Sequence, residues 1–250
     1  MKNHSIDEVK KELTKNNVIR VGINAANFLL VSRIDDHGVP FGIAPDLGRA
    51  FAKTLDAEVV FVVRKTPGEL ADAAKEDAWD IAFLGKEPQR AKELSFTEPY
   101  LEIPVTFLVR EESSITSIEE VDRDGIRISV MNRSAYDLFL TNHLKNATLI
   151  RSGSIDESFT NFVADGLEVL GGLKPRLVSD AEKIQGSRIL DGKITSVKQS
   201  ACTPPRNIEA AKYLYEFIEE AKQSGLIDQL IEKYSVKGVD VAPLASKVND

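Results

Sequence analysis

Ala78-Trp-Asp-Ile-Ala-Phe-Leu-Gly-Lys-Glu-Pro-Gln-Arg-Ala-Lys-Glu-Leu-Ser-Phe-Thr-Glu-Pro-Tyr100 is the stretch from which the rest of the chain can be read. It opens on a short apolar run, Ile81 to Leu84, that predicts a buried strand ended by Gly85 and a turn carrying Pro88. A helical turn with Arg90 follows, and then an aromatic-proline-aromatic exit at Phe96, Pro99 and Tyr100. A strand that stops at Gly85 and delivers an arginine shortly afterwards sets a cation at a strand's carboxyl end. In open α/β sheets that edge is where ligands bind. The planar guanidinium suits it, because its fork can grip a carboxylate with two parallel hydrogen bonds. Spacing alone leaves the plainer alternative open, a surface arginine on a helix.

Composition narrows the classes. The chain has 250 residues, 42% of them hydrophobic and 28% charged, which suits one large domain or two smaller lobes with their own cores. The net charge of −7, with no lysine or arginine block, argues against nucleic acid as a partner. Cys202 is the only cysteine and the three histidines (His4, His37, His143) are scattered, so neither a disulfide nor a metal site is expected. No cofactor is expected either. No apolar run approaches membrane-spanning length, and the N-terminal residues lack the apolar core of a secretory signal. The expected location is cytoplasmic as the chain stands, or periplasmic or extracellular if a signal has been removed.

Hydrophobic periodicity then gives an order of elements. Ser5 followed by Glu8 is a capping-box pattern opening a short helix through Ile6, Val9 and Leu13. Val18 to Ile23 is a strand closed by Asn24 to Asn27, and Asp35 to Gly42 reads as a turn. A helix from Ile43 to Leu55, a strand from Val59 to Val63 and a helix from Pro67 lead into the strand of the opening stretch. The alternation predicts a parallel-sheet lobe. Pro104 to Arg110 is a strand leaving that lobe for a second βα set, with strands at Ile126 to Met131, Ala147 to Ile150 and Glu168 to Leu170. Helices are expected from Ser134 and over Ile155 to Asp165, and Gly171-Gly172 reads as a turn or a close backbone approach. Ile194 to Pro205 is a second extended crossing back to the first lobe, followed by helices over Asn207 to Gln223 and Ile227 to Tyr234. The tail, Val239 to Ala245, is expected to be loosely attached. Two lobes joined by two extended crossings make a hinge. The boundaries that follow are 1–108 with 199–250 for lobe 1 and 109–198 for lobe 2.

Six pieces in a fixed order carry a resemblance: Ile6-Asp-Glu-Val-Lys-Lys11 with Val18-Ile-Arg-Val-Gly22, Gly42-Ile-Ala-Pro-Asp-Leu47, Trp79-Asp-Ile-Ala82, Pro88-Gln-Arg-Ala91 with Phe96-Thr-Glu-Pro-Tyr100, Arg127-Ile-Ser-Val130 with Arg133-Ser-Ala-Tyr-Asp-Leu138, and Gly225 to Tyr234. The chain resembles the family 3 extracellular solute-binding proteins, the substrate-binding components of polar amino-acid ABC transporters, and within them a short branch without an export signal. The resemblance implies an α/β, two-lobe type II periplasmic-binding fold. Each lobe would be a mainly parallel sheet flanked by helices, and two extended hinge strands would join them. It implies a non-enzymatic, monomeric protein that closes on a small solute and hands it to an ABC transporter permease.

Position by position, the family's arginine that clamps the ligand carboxylate falls on Arg90, and its strand-end hydroxyl or amide position on Gly85. Its second-lobe pair at a helix N-terminus falls on Ser134 and Ala135, where free N–H groups favour an anion; a plain N-cap is the simpler account of Ser134. The carboxylate that should receive an α-ammonium falls on Leu173, the usual aromatic platform on Asn27 and an acidic position on Asn24. The anion half of an amino-acid site is thus kept and the cation half is missing. The resemblance so modified implies a carboxylate-bearing solute without an ordinary α-amino group, or one whose amine is held by the amides of Asn24, Asn27 and Gln199. Phe28 is the nearby aromatic that could cover a ligand. Arg133, Lys86 and Glu87 are extra charges near the expected cleft, with solvated surface as the simpler account; Glu87 stands where the family has threonine, and a simple pairing with Lys86 or Arg90 is open to it. Two other classes stay open. One is a dehydratase of the prephenate or arogenate type, whose general acid would be Glu87 or Glu168. The other is an orphan interaction or sensor module.

Overall fold

The computed structural model describes residues 6–14 and 16–246, so Ser5 of the expected capping box lies outside the described residues. Along the chain run α1 (Ile6–Leu13), β1 (Val18–Asn24), β2 (Arg33–Ile34), β3 (Pro40–Phe41), α2 (Ile43–Thr54), β4 (Glu58–Arg64), α3 (Pro67–Asp72), β5 (Ile81–Lys86) and β6 (Ser95–Arg110). Then come β7 (Arg127–Met131), α4 (Ala135–His143), β8 (Thr148–Ser152), α5 (Ile155–Ala164), β9 (Val169–Leu173) and α6 (Lys174–Ala181). The chain ends with β10 (Ser187–Ile189), β11 (Thr195–Thr203), α7 (Ile208–Gln223), α8 (Leu226–Lys233) and β12 (Asp240–Val241). Contacts divide it into two compact units, Met1–Glu102 with Lys198–Asp250, and Ile103–Val197.

In the first unit β1 lies between β4 and β5 and is parallel to both, with Val18 opposite Glu58 and Val21 opposite Ile81. Helices cross over between these strands, as parallel pairing requires. α2 buries Ile43, Leu47 and Phe51, spaced four apart on one stripe. Phe51 meets Tyr213 and Phe217 of α7 edge-on, at ring-centre distances of 5.8 and 5.3 Å. β1 carries Gly22 because a Cβ there would sit 2.8 Å from the Cβ of Ala82 and 2.9 Å from Leu70 Cδ1. Trp79 is fully buried behind it and donates from Nε1 to the Leu70 carbonyl at 2.9 Å.

Several elements depart from the sequence reading. The turn at Asp35 is flanked by the small hairpin β2–β3, and the Asp35 carboxylate accepts from the N–H groups of His37 and Val39. The exit at Phe96 to Tyr100 and the strand expected from Pro104 are one element, the 16-residue β6. The β-branched and aromatic residues around the prolines favour extended backbone. The C-terminal tail is docked. β12 pairs antiparallel with Leu101 and Glu102 of β6, the Ala242 N–H donates to the Tyr100 carbonyl at 3.1 Å, and the buried Lys222 ammonium donates to the Pro243 carbonyl at 2.8 Å.

In the second unit the later part of β6 pairs antiparallel with β9, from Val105 opposite Leu173 to Val109 opposite Val169. β9 and β8 flank β7, both parallel to it, and β10 pairs with β6. β9 runs through Gly171-Gly172 to Leu173, beyond the expected end at Leu170, and all five of its residues are buried. A Cβ on Gly171 would lie 3.2 Å from Val130 Cγ1, so close strand packing, not a turn, accounts for that glycine. Leu108, Phe162, Leu167, Leu170 and Leu177 form one core cluster of this unit. Among the described residues no helix is long and apolar enough to cross a membrane.

Candidate functional site

Parallel strands end at the same edge of a sheet, so β1 and β5 bring the segments after Asn24 and after Lys86 to one edge of the first unit. β11 runs antiparallel to β5 with Gln199 opposite Gly85, which sets its beginning at that edge too. Asn24, Asn27, Phe28, Gly85, Glu87, Arg90 and Gln199 are therefore gathered there by topology.

Arg90 opens the 3-10 turn Arg90–Lys92 and is only 6% exposed. Its Nη1 donates to the Gly85 carbonyl at 3.0 Å, and its Nε lies 3.8 Å from Glu87 Oε1. Glu87 is buried as well: Oε1 accepts the Arg90 N–H at 2.8 Å and Oε2 the Gln89 N–H at 2.9 Å. Glu87 is thus no solvated surface charge, whereas Lys86 turns to the Thr97 carbonyl and the Glu98 carboxylate. The buried Cys202, opposite Ala82, has its thiol pushed above the usual range by burial, against the opposing charge of Arg90.

The two asparagines differ. Asn24 Oδ1 accepts the Ala26 N–H at 3.2 Å, the turn chemistry natural to that residue. Asn27 is buried; its main-chain carbonyl accepts from Leu30 and Val31, and its Oδ1 is enclosed with no hydrogen-bond partner among the described residues. Phe28 beside it is exposed. Gln199 is buried, and Trp79 and Tyr100 lie in the core.

In the second unit the parallel pairing of β7 and β9 brings Arg133, Ser134, Ala135 and Leu173 to one edge. Ser134 is the N-cap of α4, its hydroxyl accepting the Asp137 N–H at 3.1 Å. Arg133, exposed before it, has φ 56° in the left-handed region, and its N–H donates to Asp137 Oδ2 at 2.7 Å. The sequence reading missed this buried Asp137, which Arg151 also reaches at 2.9 Å; a Ser-x-x-Asp spacing at a helix start is the signal that could have found it. Burial pushes the Tyr136 phenol up to about 12. Leu173 is buried at the N-cap of α6 with extended backbone and no side-chain cap bond. Beside it a water-sized cavity of about 10 Å³ touches Tyr136, Gly172, Arg176 and Asp180. Arg176 is committed to Asp180 and Asp156 at 2.8 and 2.6 Å.

Glu168 precedes β9 and so lies at the opposite edge, roughly 16 Å of extended strand from Leu173. It pairs with Arg127 at 2.7 Å, and that guanidinium's hydrogen bonds hold its carboxyl below the usual carboxylate range. Among the described residues no group of three or more His, Cys, Asp or Glu is placed to hold a metal ion.

Residues 19–237 match the family described as bacterial extracellular solute-binding proteins, family 3. A search of curated proteins finds no match. Many solved structures share the fold. A mutant of ArgBP from T. maritima superposes with a TM-score of 0.74 at 20% identity, over 92% of this chain and 98% of that one. An ancestral amino acid-binding protein, AncCDT-1, described as a precursor of cyclohexadienyl dehydratase, gives 0.74 at 22% identity, over 92% and 98%. The substrate-binding protein of an amino acid ABC transporter gives 0.71 at 18% identity, over 87% and 98%. At these identities the likeness establishes the two-lobe type II periplasmic-binding fold.

Proposed function

Because the chain belongs to the bacterial extracellular solute-binding proteins of family 3, we propose that it binds a small carboxylate-bearing solute lacking an ordinary α-amino group and delivers it, as a monomer, to an ABC transporter. Leu173 carries this reading. A buried leucine stands at the N-cap where the family resemblance expects the carboxylate that holds a ligand ammonium. An ammonium enclosed against leucine with no counter-charge would be strongly disfavoured. Arg90 is assigned to the solute carboxylate, with the α4 N-terminus at Ser134 and Ala135 as a second anion-favouring group. The enclosed Asn27 Oδ1 is assigned to a solute N–H or O–H, with Asn24 and Gln199 as neighbouring amides and Phe28 as cover. The family is extracellular by description, and the proposal sets the chain on that side of the membrane.

Turnover is not part of the proposal, although one structural neighbour is described as a precursor of a dehydratase. Glu168 is tied to Arg127 at the far edge of its sheet, and both Glu87 oxygens accept main-chain N–H bonds, so neither is poised as a general acid. Thermal-shift and calorimetric titrations of the purified chain with succinate and glutarate, beside L-arginine, L-lysine and L-glutamine, test the reading. The dicarboxylates should stabilise it and the amino acids should not, and Arg90→Ala should abolish the response. Equal stabilisation by the amino acids, or an unchanged response in Arg90→Ala, would overturn it.

A further inference from the structure

Glu87 and Arg90 are buried together on one turn, with the carboxylate 3.8 Å from the guanidinium Nε. The main-chain N–H groups of Gln89 and Arg90 fix the carboxylate from behind, at 2.9 and 2.8 Å. The Gly85 carbonyl holds the guanidinium from its other side at 3.0 Å. Accepting one of these N–H groups does not require a charge, since the single oxygen of a threonine or glutamine can take that bond. The negative charge is therefore an addition to the cap, delivered at close range to a cation that is itself screened from water. A partner of opposite sign at this distance cancels much of the field that a third charged group would meet.

We infer that Glu87 determines specificity at this site as a built-in counter-ion that limits how tightly Arg90 holds a carboxylate. The inference rests on the reading that Arg90 faces the solute. A solute anion has to share Arg90 with Glu87, so carboxylate affinity is set well below what the arginine alone would give. Removing the charge while keeping one acceptor oxygen on the turn should raise carboxylate affinity. A merely structural role would move affinity the other way.

The experiment compares wild type, Glu87→Gln, Glu87→Thr and Arg90→Ala by titration with succinate and glutarate. A second arm takes the melting temperatures of Glu87→Gln, Arg90→Gln and the double variant. Expected are a gain in dicarboxylate affinity of about tenfold or more in both Glu87 variants, the factor an adjacent full charge exerts on an ionic equilibrium, and melting shifts of the single variants that do not add. Strictly additive shifts would show that the two charges do not interact and would overturn the inference whatever the solute. Dicarboxylate binding that Arg90→Ala abolishes but both Glu87 variants leave equal or weaker would overturn the inference and leave the carboxylate reading standing. Absence of binding in wild type and both Glu87 variants would remove the carboxylate reading and the inference with it.

Discussion

Leu173→Asp should turn the chain towards ordinary amino acids. Leu173 already has the backbone of an N-cap, φ −62° and ψ 127°, so an aspartate fits there without rearrangement. Pro175 follows within the first turn and has no N–H, which leaves the Arg176 N–H as the donor an aspartate oxygen can accept. That cap is worth about 1 kcal/mol. Against it stands the lost burial of a leucine side chain only 7% exposed, about 2 kcal/mol. Desolvating the new carboxylate at so buried a position costs a further few kcal/mol, so the variant should fold with roughly 3 kcal/mol less stability, a fall of about ten degrees in melting temperature. A restored carboxylate facing a ligand ammonium adds about 1.5–3 kcal/mol per charged hydrogen bond, or about ten- to a hundredfold in affinity. Isothermal titration with L-arginine, L-lysine and L-glutamine should show binding in Leu173→Asp that is absent or far weaker in wild type. Wild-type binding of any of the three at equal affinity would refute the assignment of Leu173 as the lost ammonium partner.

Two further perturbations follow from packing and charge. Burial pushes the Asp46 carboxyl up, but bonds from Lys233, Tyr234 and Arg49 outweigh it and bring it below its ordinary value of 3.8. A depressed folded value adds stability above the ordinary one and loses it as pH falls through the folded one. Asp46→Asn should thus lose about 1 kcal/mol at neutral pH, and its gap to wild type should close below about pH 4 in urea unfolding; a gap independent of pH would count against the network. Gly22→Ala would force a methyl to 2.8 Å from Ala82 Cβ and should cost about 1–3 kcal/mol by denaturant titration, whereas an unchanged midpoint would show that β1 and β5 can spread.

The parallel strands of the first unit are legible in the sequence because β-branched runs such as Glu58–Arg64 alternate with amphipathic helices such as Ile43–Thr54, and each pattern has its own period. α6 is not, because Lys-Pro-Arg at its start looks like a break, and only the folded β9 shows Pro175 sitting in a first turn. Gly171-Gly172 misleads for a similar reason: a glycine required by a neighbouring strand is locally identical to one required by a turn. Docking of the tail is hidden because its anchors, Lys222 and Tyr100, are remote in sequence. At the site, residue types, their order and the option that Glu87 pairs with Lys86 or Arg90 are visible, but which cation it takes is not. Spacing of three allows Glu87 and Arg90 to meet, but only the folded chain shows that both are buried together.

Cys202 gives the first unit an intrinsic clock. It is the only thiol in the chain, fully enclosed among Leu70, Trp79, Leu84 and Leu94. With its ionisation suppressed by burial, it reacts with an alkylating reagent only when the apolar layer packed over it lifts from the sheet. Alkylation kinetics therefore time the opening of the apolar layer packed on the very strands that carry Gly85 and Gln199. A solute held at that edge slows the reaction by the factor 1 + [L]/Kd, so mass spectrometry can rank ligands with no fluorophore and no immobilised partner, even from a mixture whose active component has yet to be identified.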